Sequence, residues 1–130
     1  MRVYRNSMTT SYWYGGNWST TETVYVPESA TYLKVTYFKD ADASAYSRTN
    51  IGLILPTASN SFDTSGGGQT VSRPLSPLMS GSTIYTLSLT LSDNVKGTND
   101  FVVSLTGWMQ NNSASPNTTG DLYFKKVWFE

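Results

Sequence analysis

Apolar residues in this chain recur with a period of two, and no window of helical length carries the i, i+3, i+4 spacing of a buried helix face. Thr83 to Leu91 is the clearest stretch: Tyr85, Leu87, Leu89 and Leu91 face one way, and Thr86, Ser88 and Thr90 the other. Tyr32 to Phe38 repeats the pattern, with Leu33, Val35 and Tyr37 set against Tyr32, Lys34, Thr36 and Phe38. Phe101 to Met109 sets Phe101, Val103 and Leu105 on one face and Val102, Ser104, Thr106 and Trp108 on the other. Shorter strands are expected at Val3 to Met8 (an edge), Ser11 to Tyr14, Trp18 to Val26, Ile51 to Leu55, Thr70 to Arg73 and Asp121 to Phe129. About eight or nine short strands separated by turn signals make an all-β, two-sheet antiparallel β-sandwich, with the jelly roll first and the immunoglobulin-like sandwich as the alternative.

The polar stretches between strands are expected to be loops of one domain spanning 1–130. Gly15-Gly16-Asn17 is expected to reverse the chain sharply, because glycine reaches backbone angles that other residues avoid. Lys39 to Asn50 and Gln110 to Gly120 lack apolar alternation. Thr57 to Gln69, with Gly66-Gly67-Gly68, is long for a connection in a compact domain and is either a functional or a mobile loop.

Charge narrows the function classes. Charged residues are 14% of the 130-residue chain, and nine basic residues cancel nine acidic ones. The basic residues are scattered, whereas phosphate binding needs a concentrated positive surface, so nucleic acid is not the expected partner. The chain has no cysteine and no histidine. That removes thiolate chemistry, disulfides and the commonest metal ligand and general base. No cofactor and no metal are expected: Asp40-Ala41-Asp42 with Ser44 looks like a fragment of a calcium loop, but Ala45 and Ile51 stand where an EF-hand needs Gly and Glu. The carboxylates show no pairing in their spacing that a glycosidase would need, so catalysis is not expected. The three Asn-X-Ser/Thr triplets fall within what a chain rich in Asn, Ser and Thr produces by chance. No apolar run spans a membrane or forms a signal peptide.

Successive antiparallel strands place their connections alternately at the two ends of a sandwich. By that parity the Gly15-Gly16-Asn17 turn and the loops at Lys39 to Asn50, Pro74 to Ser82 and Gln110 to Gly120 share one end, and the triple-glycine loop lies at the other. The first end gathers Trp18, Asp40, Asp42, Tyr46, Arg48, Trp108, Asn111 and Asn112 as candidate ligand-binding residues. Rings cover the C–H face of a sugar, while amides, carboxylates and a guanidinium pair its hydroxyls. Against this stands the plainer use of such rings as core lids or subunit contacts, which general burial tendencies favour. Trp18 is the foremost stacking residue of the set.

The C-terminal stretch Asp121-Leu122-Tyr123-Phe124-Lys125-Lys126-Val127-Trp128-Phe129-Glu130, taken with Val24-Tyr25-Val26-Pro27 and Tyr32-Leu33-Lys34-Val35, resembles the C-terminal receptor-binding tip domains of tailed-bacteriophage tail fibres and spikes. The resemblance implies a virion location, a homotrimer, an upstream fibre domain and a bacterial surface saccharide as ligand, with this chain as the C-terminal part of a longer one. Aromatics on both faces of the last strand point the same way, since part of that strand would then cover a neighbouring subunit. The alternatives are a carbohydrate-binding module of a secreted polysaccharide-degrading enzyme and a structural trimerisation or capping module without a ligand.

Overall fold

The computed structural model describes residues 2–8, 14–41, 45–75, 84–111 and 118–130. They form eight strands: β1 (Arg2–Met8), β2 (Tyr14–Ser19), β3 (Tyr32–Ala41), β4 (Ala45–Ile54), β5 (Gln69–Leu75), β6 (Ile84–Thr90), β7 (Val102–Asn111) and β8 (Thr118–Phe129), with one 3-10 turn at Ser65–Gly67. Each strand pairs antiparallel with its neighbours in two four-stranded sheets, ordered β1-β8-β3-β6 and β2-β7-β4-β5. The chain is thus a long hairpin, β1 against β8, β2 against β7, β3 against β6 and β4 against β5, rolled into two layers. That order is the jelly roll, and it sets the immunoglobulin-like alternative aside.

The core lies between the sheets and follows the alternation of the strongest strands. Leu33, Val35 and Tyr37 of β3, Ile51 and Leu53 of β4, Leu87 and Leu89 of β6, and Val103 and Leu105 of β7 are all buried. Tyr37 is its largest fully buried side chain, with its ring centroid 5.7 Å from that of Tyr85 and 6.1 Å from that of Phe124. One end of the sandwich is plugged by the segment 20–31. There Val26 is buried, donates its N–H to the Thr98 carbonyl at 2.9 Å and accepts from the Gly97 N–H at 2.8 Å.

Three expectations are corrected. Gly15-Gly16-Asn17 does not turn: it lies inside β2, where Gly15, Gly16 and Asn17 pair with Trp108, Gly107 and Thr106. Lys39 to Asn50 is not a loop, because β3 runs to Ala41 and β4 starts at Ala45. The stretch Trp18 to Val26 is not one strand either, since β2 stops at Ser19 and only Val24 bridges to Phe101 beyond it. In the last strand a register shift near Lys125 breaks the alternation: Phe124, Val127 and Phe129 pair with the core residues Tyr37, Val35 and Leu33, while Trp128 pairs with the outward Lys34. Its aromatics therefore divide differently between the two faces than strict alternation gives.

The strand directions bear out most of the loop parity. The ends joined as Met8/Tyr14, Ala41/Ala45, Leu75/Ile84 and Asn111/Thr118 fall at one end of the sandwich, and the β4–β5 connection with its glycines falls at the other.

Candidate functional site

Toward the β4–β5 connection, the outer face of the β2-β7-β4-β5 sheet is built from polar residues, and part of it is not exposed. Asn17, Thr106, Asn50 and Ser72 form one cross-strand row, and Ser19, Ser104, Gly52 and Thr70 the next. In an antiparallel sheet with one dry side such residues normally face water. Here Asn50 is 1% exposed, and Ser104 and Thr106 are equally buried. The cover is the connection between β4 and β5, which folds back over the sheet.

That connection is fastened at both levels. Asn50 donates from Nδ2 to the Ser61 carbonyl at 3.1 Å and accepts from the Ser72 hydroxyl at 3.0 Å. Thr106 donates its hydroxyl to Ser61 Oγ at 2.7 Å. Within the loop, the Asp63 carboxylate accepts the Ser59 N–H at 3.0 Å, the Ser59 hydroxyl at 3.1 Å and the Ser65 N–H at 2.9 Å. These donors stabilise the charged form and hold the carboxyl well below its ordinary value of 3.8. Gly66, at φ 65°, turns the chain back toward β5 at a point where a Cβ would run into Leu55. A side chain there meets both backbone strain and a clash.

Between this loop and the edge strand β2 lies a cleft of about 230 Å³. Asn17, Trp18 and Ser19 form one wall, Leu55, Pro56, Ala58, Asn60 and Ser61 the other, and Ile54, Val102 and Ser104 the floor. No charged residue lines it. Trp18 pairs with Leu105 at the sandwich margin and remains 42% exposed. Among the described residues, no group of three or more acidic side chains is placed to hold a metal ion.

The residues expected at the opposite end distribute as follows. Arg48 and Trp108 are direct cross-strand partners in β4 and β7, Tyr46 pairs with Gln110, and Asn111 pairs with Ala45. In the ladder, Tyr46, Arg48 and Trp108 lie toward the far end from the cleft. Asp40 pairs with Asp121 in the other sheet. Asp42 and Asn112 lie outside the described residues. Trp18 is separated from the group: because Gly15 to Asn17 continue a strand instead of turning, it sits three pairs along β7 from Trp108, near the β4–β5 loop. Asn17, Asn60, Ser61 and Ser104 were absent from the expected set. The length of the Thr57 to Gln69 stretch was the sequence signal for Asn60 and Ser61.

No family model and no curated protein matches the chain. Solved structures are similar to it, among them two carbohydrate-binding modules. The first is a carbohydrate-binding module, TmCBM61 in complex with β-1,4-galactotriose, with a TM-score of 0.48 and 11% identity, covering 99% of this chain and 69% of that one. The second is a family 16 carbohydrate-binding module, with a TM-score of 0.47 and 14% identity, covering 95% of this chain and 74% of that one. The jelly-roll assignment itself rests on the strand order.

Proposed function

We propose that this chain is a non-catalytic carbohydrate-binding module that holds saccharide in the cleft between β2 and the β4–β5 loop. The observation that carries the reading is the lining: amides and hydroxyls from Asn17, Ser19, Asn60, Ser61 and Ser104, with the Trp18 indole on the rim and no charge among them. A sugar presents hydroxyls around its edge and C–H groups on its faces, so it needs short neutral donors and acceptors beside a ring. The cleft wall is also fixed before any ligand arrives, because Asn50, Ser61, Thr106 and Asp63 hold the loop, and a preformed wall lowers the ordering cost of binding.

The setting we favour is a module of a secreted polysaccharide-degrading protein, working as a monomer. The aromatics of β8 support it, since they are accounted for within one chain. Phe124 belongs to the core, and Trp128 carries the Lys126 ammonium 4.7 Å from its ring centroid and donates its indole N–H to Glu130 at 3.3 Å. A trimeric fibre tip on a virion, which the C-terminal stretch resembles, is the second setting. A solution mass of three chains by light scattering would favour it.

Isothermal titration against a panel of soluble polysaccharides tests the binding itself. Trp18→Ala and Asn17→Ala are each expected to weaken whichever saccharide binds, without unfolding the chain. A panel that gives no binding to the folded protein rejects the reading.

A further inference from the structure

The covered part of the β2-β7-β4-β5 sheet pairs its polar side chains in one cross-strand row and leaves Ser104 unpaired in the next. In the first row the Thr106 hydroxyl donates to Ser61 Oγ and the Asn50 amide to the Ser61 carbonyl. In the second, Ser104 stands between Ser19 of β2 and Gly52 of β4. Gly52 brings no side chain to meet it, and among the described residues no hydrogen bond reaches the Ser104 hydroxyl. Ser104 is nevertheless only 2% exposed. What exposure it keeps is to the cleft, whose floor it shares with Ile54 and Val102, themselves a cross-strand pair. Buried hydroxyls are normally bonded, so one left over at the bottom of a cleft marks a place where a ligand completes the pairing.

The cleft is also small. Its volume of about 230 Å³ lies below the roughly 300–1,000 Å³ of pockets that enclose drug-sized molecules, which leaves room for one sugar ring and not for a run of them. Resting on the saccharide-binding reading of the cleft, we infer that it recognises a single neutral sugar unit, seated edge-first beside Trp18 with one hydroxyl bonded to Ser104 on the floor. A serine hydroxyl both donates and accepts, as a sugar hydroxyl does, so each satisfies the other. The C–H bonds flanking that sugar hydroxyl rest on Ile54 and Val102. A carboxylate at the same depth would lose its water and gain no cation, because no charged residue lines the cleft. The rest of the glycan lies outside the walls, in solvent. Ser104 is then the specificity-determining residue: a unit without the matching hydroxyl leaves it unpaired, and mismatch of that kind is how a site rejects a close analogue.

The test titrates the intact chain, read by amide NMR shifts, with methyl glycosides of neutral hexoses and pentoses, their monodeoxy analogues, the matching uronides, and neutral oligosaccharides of increasing length. The expected result is that a neutral methyl glycoside binds in the cleft, that its uronide binds more weakly, and that added units improve affinity by no more than about threefold. One monodeoxy analogue should bind about tenfold more weakly than its parent, the size of one hydrogen bond whose partner is left unpaired. Ser104→Ala should weaken the parent to the same degree, bind parent and that analogue equally, and leave the unfolding midpoint no lower, since the hydroxyl bonds nothing in the free protein. The deoxy analogues read the same contact on the unaltered chain. Affinity that climbs tenfold or more with added units, a uronide that binds as tightly as its neutral parent, Ser104→Ala that binds the parent unchanged, or a lowered midpoint in that variant overturns the inference. The cleft assignment stands in each of those cases as long as Trp18→Ala weakens binding. If no saccharide of any set binds, the cleft assignment falls and the inference with it.

Discussion

The two outer faces of the sandwich are both built from β-strands with aromatic and polar residues, yet among the described residues a covering loop with a cleft beside it lies on only one of them. On the β1-β8-β3-β6 sheet the rings are engaged by charges. Lys34 stands 5.1 Å from the Tyr32 ring centroid and pairs with Glu130 at 2.6 Å, while Lys126 covers Trp128. On the β2-β7-β4-β5 sheet a loop is laid over the strands and tied down through buried amides and hydroxyls, leaving a cleft along its margin. A twisted sheet alone offers an open surface, and it takes a second layer to make a concavity that excludes water from polar contacts. The cost is a set of buried polar groups that must all be paired.

The comparison is broken most directly at that layer. Asn50→Ala removes one buried hydrogen bond to the Ser61 carbonyl beneath the loop and one part-buried bond from the Ser72 hydroxyl. The expected loss is about 2–4 kcal/mol, from unpaired buried groups plus the space left behind, read as a lower midpoint in denaturant unfolding. Saccharide binding should fall with it, because the cleft loses its wall. Trp18→Ala comes next. It should leave unfolding nearly unchanged but weaken saccharide binding by about 1–2 kcal/mol, on the order of five- to thirtyfold in titration calorimetry. Equal loss of binding from Trp128→Ala, on the other face, would break the comparison outright.

How far the sequence foretold each face follows from what its signals are. The core strands were legible because Leu87, Leu89 and Leu91, and likewise Leu33, Val35 and Tyr37, alternate against hydroxyls and a lysine and are buried as that alternation requires. The Lys39 to Asn50 stretch was not, although Thr49 and Asn50 are among the most buried polar residues. The amide of Asn50 faces a loop laid over the sheet instead of water, and hydropathy cannot distinguish the two. The Gly-Gly stretch misled for a related reason: Gly16 sits opposite Gly107 in the ladder, and pairing overrode local turn preference. The site then moved with it, since Trp18 was assigned to an end it does not occupy. The long Thr57 to Gln69 loop carried the right hint of function, but its contact with β2 is a product of the rolled topology and leaves no local mark.

Smaller effects sharpen the same contrast. Glu130→Gln, on the open face, removes the carboxylate from an exposed pair with Lys34, so it should shift the melting temperature by no more than about 2 °C and leave saccharide binding unaltered. A larger shift would mean that the open face is held as firmly as the covered one.

The smallest expected change is in the response to acid. Glu130 and Asp63 are both held below their ordinary values, Glu130 chiefly by the Lys34 ammonium and Asp63 by the Ser59 and Ser65 N–H donors. A carboxyl depressed in the folded state contributes stability above its unfolded value and loses it as the pH falls through the folded one. Glu130 therefore begins to lose its contribution below about 4.5, and Asp63 keeps its charge well below 3.8. Between neutral pH and that upper value neither should titrate, and the loop should stay closed. Amide hydrogen exchange at Ser59 and Ser65 is the direct measurement. Protection at both should persist as the pH is lowered past 3.8 and disappear only in stronger acid, whereas the Asp63→Asn variant, which keeps one acceptor oxygen for two N–H donors, should lose protection at one or both already at neutral pH. Protection that fades together with titration of ordinary surface carboxylates would show that Asp63 does not hold the wall of the cleft.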